Sequence, residues 1–180
     1  MNYEKAEKRL SDMNEKDILN DNDYEFLDEI GKSDDMCIKC DAADLLINYK
    51  TKQAVEILKT LSDDNDATVR ASAYDNMWVF EKQDFDEILR KAVSCESDGI
   101  ARSYAIFSLY DLYLQNDCDT AELIDFMHNL YKTEKDRRCK LQYLRNFYIS
   151  GETDKLGEII GYLEDKDVLS GYEDGTFPRY

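Results

Sequence analysis

Proline occurs once in these 180 residues and glycine seven times. So few chain breakers argue against short strands joined by tight turns and favour helices. Stretches rich in Ala, Leu, Glu and Lys point the same way. Histidine is present once, as His128, which argues against a metal site built on paired histidines. Basic side chains are also short in supply, 23 against 40 acidic ones, for a formal net charge of −17. Such a surface repels nucleic acid and anionic lipid and attracts a basic partner, although acidity also serves solubility alone. No segment approaches the ~20 apolar residues of a membrane span, and the most apolar run, Tyr104 to Leu114, is broken by Asp111. No apolar run follows the basic residues of MNYEKAEKRLSDMNEKD, so no signal peptide is expected and the expected location is cytoplasmic.

Catalytic signatures are missing as well. There is no G-x-x-x-x-G-K-[ST] and no G-x-G-x-x-G to cradle a phosphate. His128 has no recognisable serine or cysteine nucleophile motif beside it. The five cysteines, Cys37, Cys40, Cys95, Cys118 and Cys139, are odd in number and read as free thiols. Cys37-Ile-Lys-Cys40 has the spacing of a redox pair or half a zinc site, but a second pair or histidines would be needed. Core positions are the expectation for both. Neither a metal nor a cofactor is expected.

What is present is periodicity. Basic residues recur in related surroundings at Lys39 (CIKCDAADLL), Arg70 (TVRASAYDNM), Arg102 (IARSYAIFSL) and Lys140 (RCKLQYLRNF), spaced by 31, 32 and 38 residues. Upstream lie Asp34 and Asp35, Asp66, Asp98 and Asp136, and downstream come apolar residues at helical spacing such as Val69, Ala73, Met77 and Phe80. A second element is marked by a glutamate before two apolar residues: Glu25, Glu56, Glu87, Glu122 and Glu158, at intervals of 31, 31, 35 and 36. Two helices per unit predict an all-α chain, an α-solenoid of four to five hairpins within one domain. The expected units are 2–33, 34–65, 66–97, 98–134 and 135–166, followed by a tail, 167–180. Each pair is too small to bury its own apolar stripe, so stacking must complete the core.

LSDDNDATVRASAYDNMW, from Leu61 to Trp78, resembles the HEAT repeat, with its Asp-rich turn, Val-Arg and alanines. The resemblance implies that turn aspartate and arginine, Asp66 with Arg70 and Asp98 with Arg102, tie adjacent repeats. It also implies that the second helices line a concave side. On Gln53 to Asp63 read as a helix, Ala54, Ile57, Leu58 and Leu61 form the buried stripe and Glu56 points outward. Carrying these offsets to the other units gives an outward set whose candidate partner-binding residues are Glu25, Asp28, Glu56, Glu87, Glu122, Asp125, Phe126, Glu158 and Tyr162. Phe126 and Tyr162 would be aromatic anchors in an acidic ridge. A purely structural alternative reads Asn22–Glu25, Asp84–Glu87 and Asp119–Glu122 as capping boxes, and places the two aromatics under the next repeat or the C-terminal tail. Gly157-x-x-x-Gly161 suggests close helix approach or a loosened last repeat.

A compact, acidic, HEAT-like chain also resembles the immunity proteins that accompany bacterial toxins. That resemblance implies a non-catalytic binder that neutralises a basic, nuclease-type toxin, with a basic protein as partner, no nucleic acid or membrane, and a monomer when free. The alternatives are a general interaction scaffold and, less favoured for want of ligands, an enzyme built on similar repeats.

Overall fold

The computed structural model describes residues 3–163, and these contain ten α-helices, two short 3-10 turns and no strand. The helices are α1 (Tyr3–Asn14), α2 (Asp21–Gly31), α3 (Met36–Leu46), α4 (Lys52–Ser62), α5 (Ala67–Asn76), α6 (Lys82–Cys95), α7 (Gly99–Gln115), α8 (Ala121–Tyr131), α9 (Arg137–Ile149) and α10 (Leu156–Tyr162). None of them is long and apolar enough to cross a membrane. The tail 167–180 and Asp165 lie outside the described residues.

Helix starts follow from local chemistry. Asp35, Asp66, Asp98 and Asp136 each sit in extended backbone just ahead of an odd-numbered helix. Their carboxylates accept first-turn amides, for example those of Ile100 at 2.8 Å and Ala101 at 3.0 Å on Asp98, which would otherwise be orphaned. The capping boxes expected from sequence are displaced. The box at α2 is Asn20 with Asp23, while Glu81 and Thr120 precede α6 and α8 without a side-chain cap bond. Glu25 and Glu87 lie deeper in their helices than a third-position role requires, because Asn20 and Glu81 precede α2 and α6 two and three residues ahead of the expected caps Asn22 and Asp84. Glu122 is only the second residue of α8, because that helix starts at Ala121, after Thr120 rather than Asp119.

One buried face per helix builds the core. On α4, Ala54, Ile57, Leu58 and Leu61 are buried as the pattern predicts. Helix α7 is enclosed along most of its length, with Ala101, Ala105, Ile106, Leu109, Tyr110 and Leu112 buried. It packs against α5, α6, α9 and the turn Met77–Val79. Burying each Leu or Ile is worth roughly 1.5–3 kcal/mol before entropy is charged against it. Asp111, which breaks the apolar run, faces Arg145 on α9 with oxygens at 3.0 and 3.2 Å from its two terminal nitrogens. The Arg145 guanidinium lies 4.4 Å from the Phe107 ring centroid.

Packing runs from neighbour to neighbour. Helix α1 packs on α3, α3 on α5, α5 on α7 and α7 on α9, while α4, α6 and α8 rest on the odd-numbered helices that follow them. The connectors leading into those odd helices are cross-linked by ion pairs. Lys39 reaches Asp64 at 2.6 Å. Arg70 grips Glu96 through two bonds of 2.7 and 2.8 Å, and Arg102 grips Glu134 through two of 3.0 Å. Arg70 also donates to the carbonyls of Asp64 and Asn65, and Arg102 to that of Glu96. The arginine partners are therefore Glu96 and Glu134. Asp66 and Asp98 cap helices instead, because a side chain one residue before the first turn points back at that turn's amides.

The glycines of α7 and α10 differ in their surroundings. A Cβ on Gly99 would stand 2.2 Å from Asp136 Oδ2, so the start of α7 admits the cap of α9 only because this residue has no side chain. Among the described residues, nothing lies within 4 Å of a Cβ built on Gly157 or Gly161, so the G-x-x-x-G of α10 brings no other described helix close.

Candidate functional site

The even-numbered helices carry the candidate residues, and their row is looser than the odd one. Helix α2 packs on α4, but α4 and α6 flank two grooves of about 500 Å³ each. The even-numbered helices therefore stand as ridges separated by grooves.

Three of the nine candidates converge. Glu25 and Asp28 on α2 and Glu56 on α4, with Asp21, rim one groove of about 460 Å³. Tyr24 and Ile57 line the same groove, and both are largely buried. The helical spacing explains the arrangement: Asp21, Glu25 and Asp28 recur on one face of α2, beside the position of Tyr24. The Tyr24 hydroxyl lies 2.7 Å from Thr51 Oγ1, and Thr51 accepts the Ala54 amide at 3.2 Å as the cap of α4. That pair of bonds sets the spacing of the two helices at the groove. Against four carboxylates the lining holds one ammonium, Lys52. Asp28 is also bonded by Lys32 and Glu56 by Lys59, but these exposed pairs within one helix are worth only a few tenths of a kcal/mol and can exchange for a partner's cations.

The remaining candidates are dispersed. Glu87 is exposed on α6, and the grooves between α4 and α6 have a mixed rim that includes Lys50, Lys52, Lys59 and Lys91, so the acidic ladder is interrupted there. Glu122 and Asp125 are exposed on α8, with Arg90 Nη2 at 4.0 Å from Glu122. Glu158 has a structural tie: it accepts the Tyr131 hydroxyl at 2.9 Å and pairs with Lys155 at 3.3 Å. The Tyr131 bond, helped by Lys155, holds its carboxyl below the ordinary value against the opposing pull of burial.

Phe126 and Tyr162 are not free-standing anchors. Both are half-buried and pack against the core. Arg90 covers the Phe126 ring at 5.2 Å while its Nη2 donates to the Tyr113 hydroxyl at 2.6 Å, and the Tyr162 carbonyl accepts from Arg137. Sequence offsets placed them outward because α8 and α10 were given the phase of α4, whereas each packs on α9 in its own way.

The thiols offer little chemistry. Cys37 is exposed rather than in the core, since the buried face of α3 runs through Ile38, Ala42, Leu45 and Leu46. Cys40 is half-buried, and burial with the nearby Asp44 pushes its thiol up to about 11. Among the described residues no three His, Cys, Asp or Glu side chains are grouped to hold a metal. His128 stacks on Phe147 at 3.9 Å and meets Glu152 at 2.6 Å, which ties α8 to the connector after α9. Sequence reading missed Asp64, Glu96 and Glu134 altogether. Their signal was available, because each stands two residues ahead of a capping aspartate. No known family, no curated protein and no solved structure matches this chain.

Proposed function

We propose that this chain is a short HEAT-like α-solenoid acting as a non-catalytic binding module, and that it receives a basic protein on its even-numbered helices. The observation that carries this reading is the groove between α2 and α4. An apolar floor rimmed by Asp21, Glu25, Asp28 and Glu56 suits an apolar side chain flanked by lysines or arginines. Neighbour-to-neighbour packing of the odd helices supports the solenoid, as does the repeated ion pairing of the connectors. The net charge of −17 steers a cationic partner toward the chain over distances comparable with the Debye length. Neutralisation of a basic nuclease-type toxin in the cytoplasm is the specific role we assign to this binding, by resemblance to acidic immunity proteins.

The test is capture of partners from the native host by the wild-type chain and by a Glu25→Lys/Asp28→Lys/Glu56→Lys variant, at low and high salt. A basic partner that is released by salt and lost with the variant is the expected result. Undiminished capture by the triple variant overturns the groove, and a partner that is acidic or insensitive to salt overturns the charge-based reading. Enzymatic activity of the captured partner against nucleic acid, suppressed by the wild-type chain, separates a toxin inhibitor from a scaffold.

A further inference from the structure

The groove between α2 and α4 has two unlike edges. On α2 the edge is formed by Asp21, Glu25 and Asp28, spaced by four and then three residues, so all three stand on one side of the helix. At about 1.5 Å of rise per residue, Glu25 and Asp28 lie about 6 and about 10.5 Å along the axis from Asp21. Among the described residues neither Asp21 nor Glu25 has a bonded partner, and Asp28 has only the exposed Lys32 of its own helix. On α4 the edge changes sign within one turn, because Lys52 stands four residues before Glu56. That edge repels a cation near Lys52 and accepts one a turn later.

A ligand for this groove must present bases at the spacing of the α2 edge and an apolar group beside them. A helix does both. Its residues three and four apart rise by the same amount as those of α2, whichever way it runs, so bases on successive turns meet Asp21, Glu25 and Asp28 in order. The adjoining strip of the same helix turns apolar residues toward Tyr24 and Ile57. An extended segment fits less well. Side chains on one of its sides stand about 6.6 Å apart, so a third base falls about 13 Å from the first and overshoots Asp28 by about 3 Å. Its intervening residues point away from the floor, which leaves bases and apolar groups competing for the same side. The floor is shallow, since Tyr24 and Ile57 are largely buried, and a shallow trough suits a rounded surface laid along it. Packed helices lie about 8–10 Å apart, close enough for a third to rest on both.

We infer that the groove receives an amphipathic helix of the partner, about three turns long, with lysines or arginines against Asp21, Glu25 and Asp28 and an apolar residue over Tyr24 and Ile57. Lys52 decides which edge takes the bases, because it disfavours a helix that carries them on both. The assignment deepens the reading of the groove as the seat of a basic protein and rests on it.

Alanine-based peptides of about 16 residues, long enough to populate a helix in water, are the probes, and the full-length chain is the receptor. The first peptide carries lysines on three successive turns beside a strip of leucines. The second has the same composition with lysines and leucines on opposite sides, and the third is the first with a central proline. At low salt the first is expected to bind about tenfold tighter than either of the others, to gain helical circular dichroism on mixing, and to lose that advantage with Glu25→Lys/Asp28→Lys/Glu56→Lys. Lys52→Glu is expected to tighten it several-fold, whereas Lys8→Glu, on the exposed side of α1, is expected to leave it unchanged. Equal binding of the proline peptide gives the groove to an extended segment and overturns the helix. Equal binding of the second peptide reduces the attraction to net charge and overturns it as well. If the helical probe shows no preference while capture of the host partner still falls with the triple variant, the helical occupant fails and the groove stands; if neither responds, the groove fails too. A rise in the chain's own mass at probe concentration, abolished by the triple variant, would give the groove to a second copy and overturn the assignment.

Discussion

Arg70 on α5 holds Glu96, the residue just after α6, through two bonds of 2.7 and 2.8 Å, one to each carboxylate oxygen, with the arginine side chain 17% exposed and the glutamate 5%. The contact joins segments 26 residues apart and seats the cap of α7 at the same time, since Glu96 also accepts the Asp98 amide. Paired forks of this kind are stronger and more directional than exposed ion pairs. Removing one partner leaves the other charge desolvated. Arg70→Ala is therefore expected to cost about 3 kcal/mol, a fall of roughly 10 °C in Tm for a chain of this size. Arg70→Met with Glu96→Met should cost less than the sum of the single changes. Denaturation of the three variants checks the coupling, and additive losses would remove the clamp from the account.

Acidification attacks the same contacts. Arg70 holds the Glu96 carboxyl below its ordinary value against the opposing pull of burial. At Glu134 and Asp64 burial pulls upward, but Arg102 and Lys39, together with the following amides, outweigh it. A carboxylate whose pKa is lower in the folded state contributes stability that is full above its unfolded value of roughly 4 and is lost as pH falls through the folded value. The unfolding midpoint is expected to drop steeply below about pH 4. Charge-neutral Glu96→Gln and Glu134→Gln variants should show a shallower acid limb. A midpoint equal at pH 5 and pH 3 would contradict this.

Asp41 runs the other way. Burial, then Asp44, Glu7 and Asp35, all raise its pKa, so its charge opposes folding above the raised value and ceases to do so below the unfolded one. Asp41→Asn is expected to raise the midpoint at pH 7 and to lose that advantage near pH 3. Equal midpoints at neutral pH would show that the four carboxylates are too well solvated to repel.

Glycine replacements should separate by surroundings. Gly99→Ala drives a methyl group into Asp136 and displaces the cap of α9, for a loss of about 1–3 kcal/mol. Gly157→Ala meets open space inside α10 and is expected to gain up to about 1 kcal/mol from helix propensity. Urea titrations decide both signs.

Thiol labelling reads the packing directly. Cys37 and Cys95 are exposed and should react first with an alkylating reagent at pH 8. Cys40, pushed up to about 11 chiefly by burial, should lag. Cys139, buried and pushed up to about 12, should react only on unfolding. Early modification of Cys139, followed by mass spectrometry, would mean that α9 opens locally.

The sequence by itself determined that the chain is helical, where helices such as α4 bury their faces, and that Arg70 and Arg102 belong to a recurring pattern. These are local or periodic properties, written by spacing within a few turns. Only the tertiary structure decided which carboxylate each base meets, since Asp66 and Glu96 are equally acidic on paper and differ in what the neighbouring connector brings near. The same holds for the candidate site. Glu25, Asp28 and Glu56 come together because α2 packs on α4, while Glu87 and Glu122 stay apart and Phe126 turns under Arg90. Helix-to-helix distance and phase depend on side chains remote in sequence, so a repeat offset that is sound within one unit does not carry unchanged to the next.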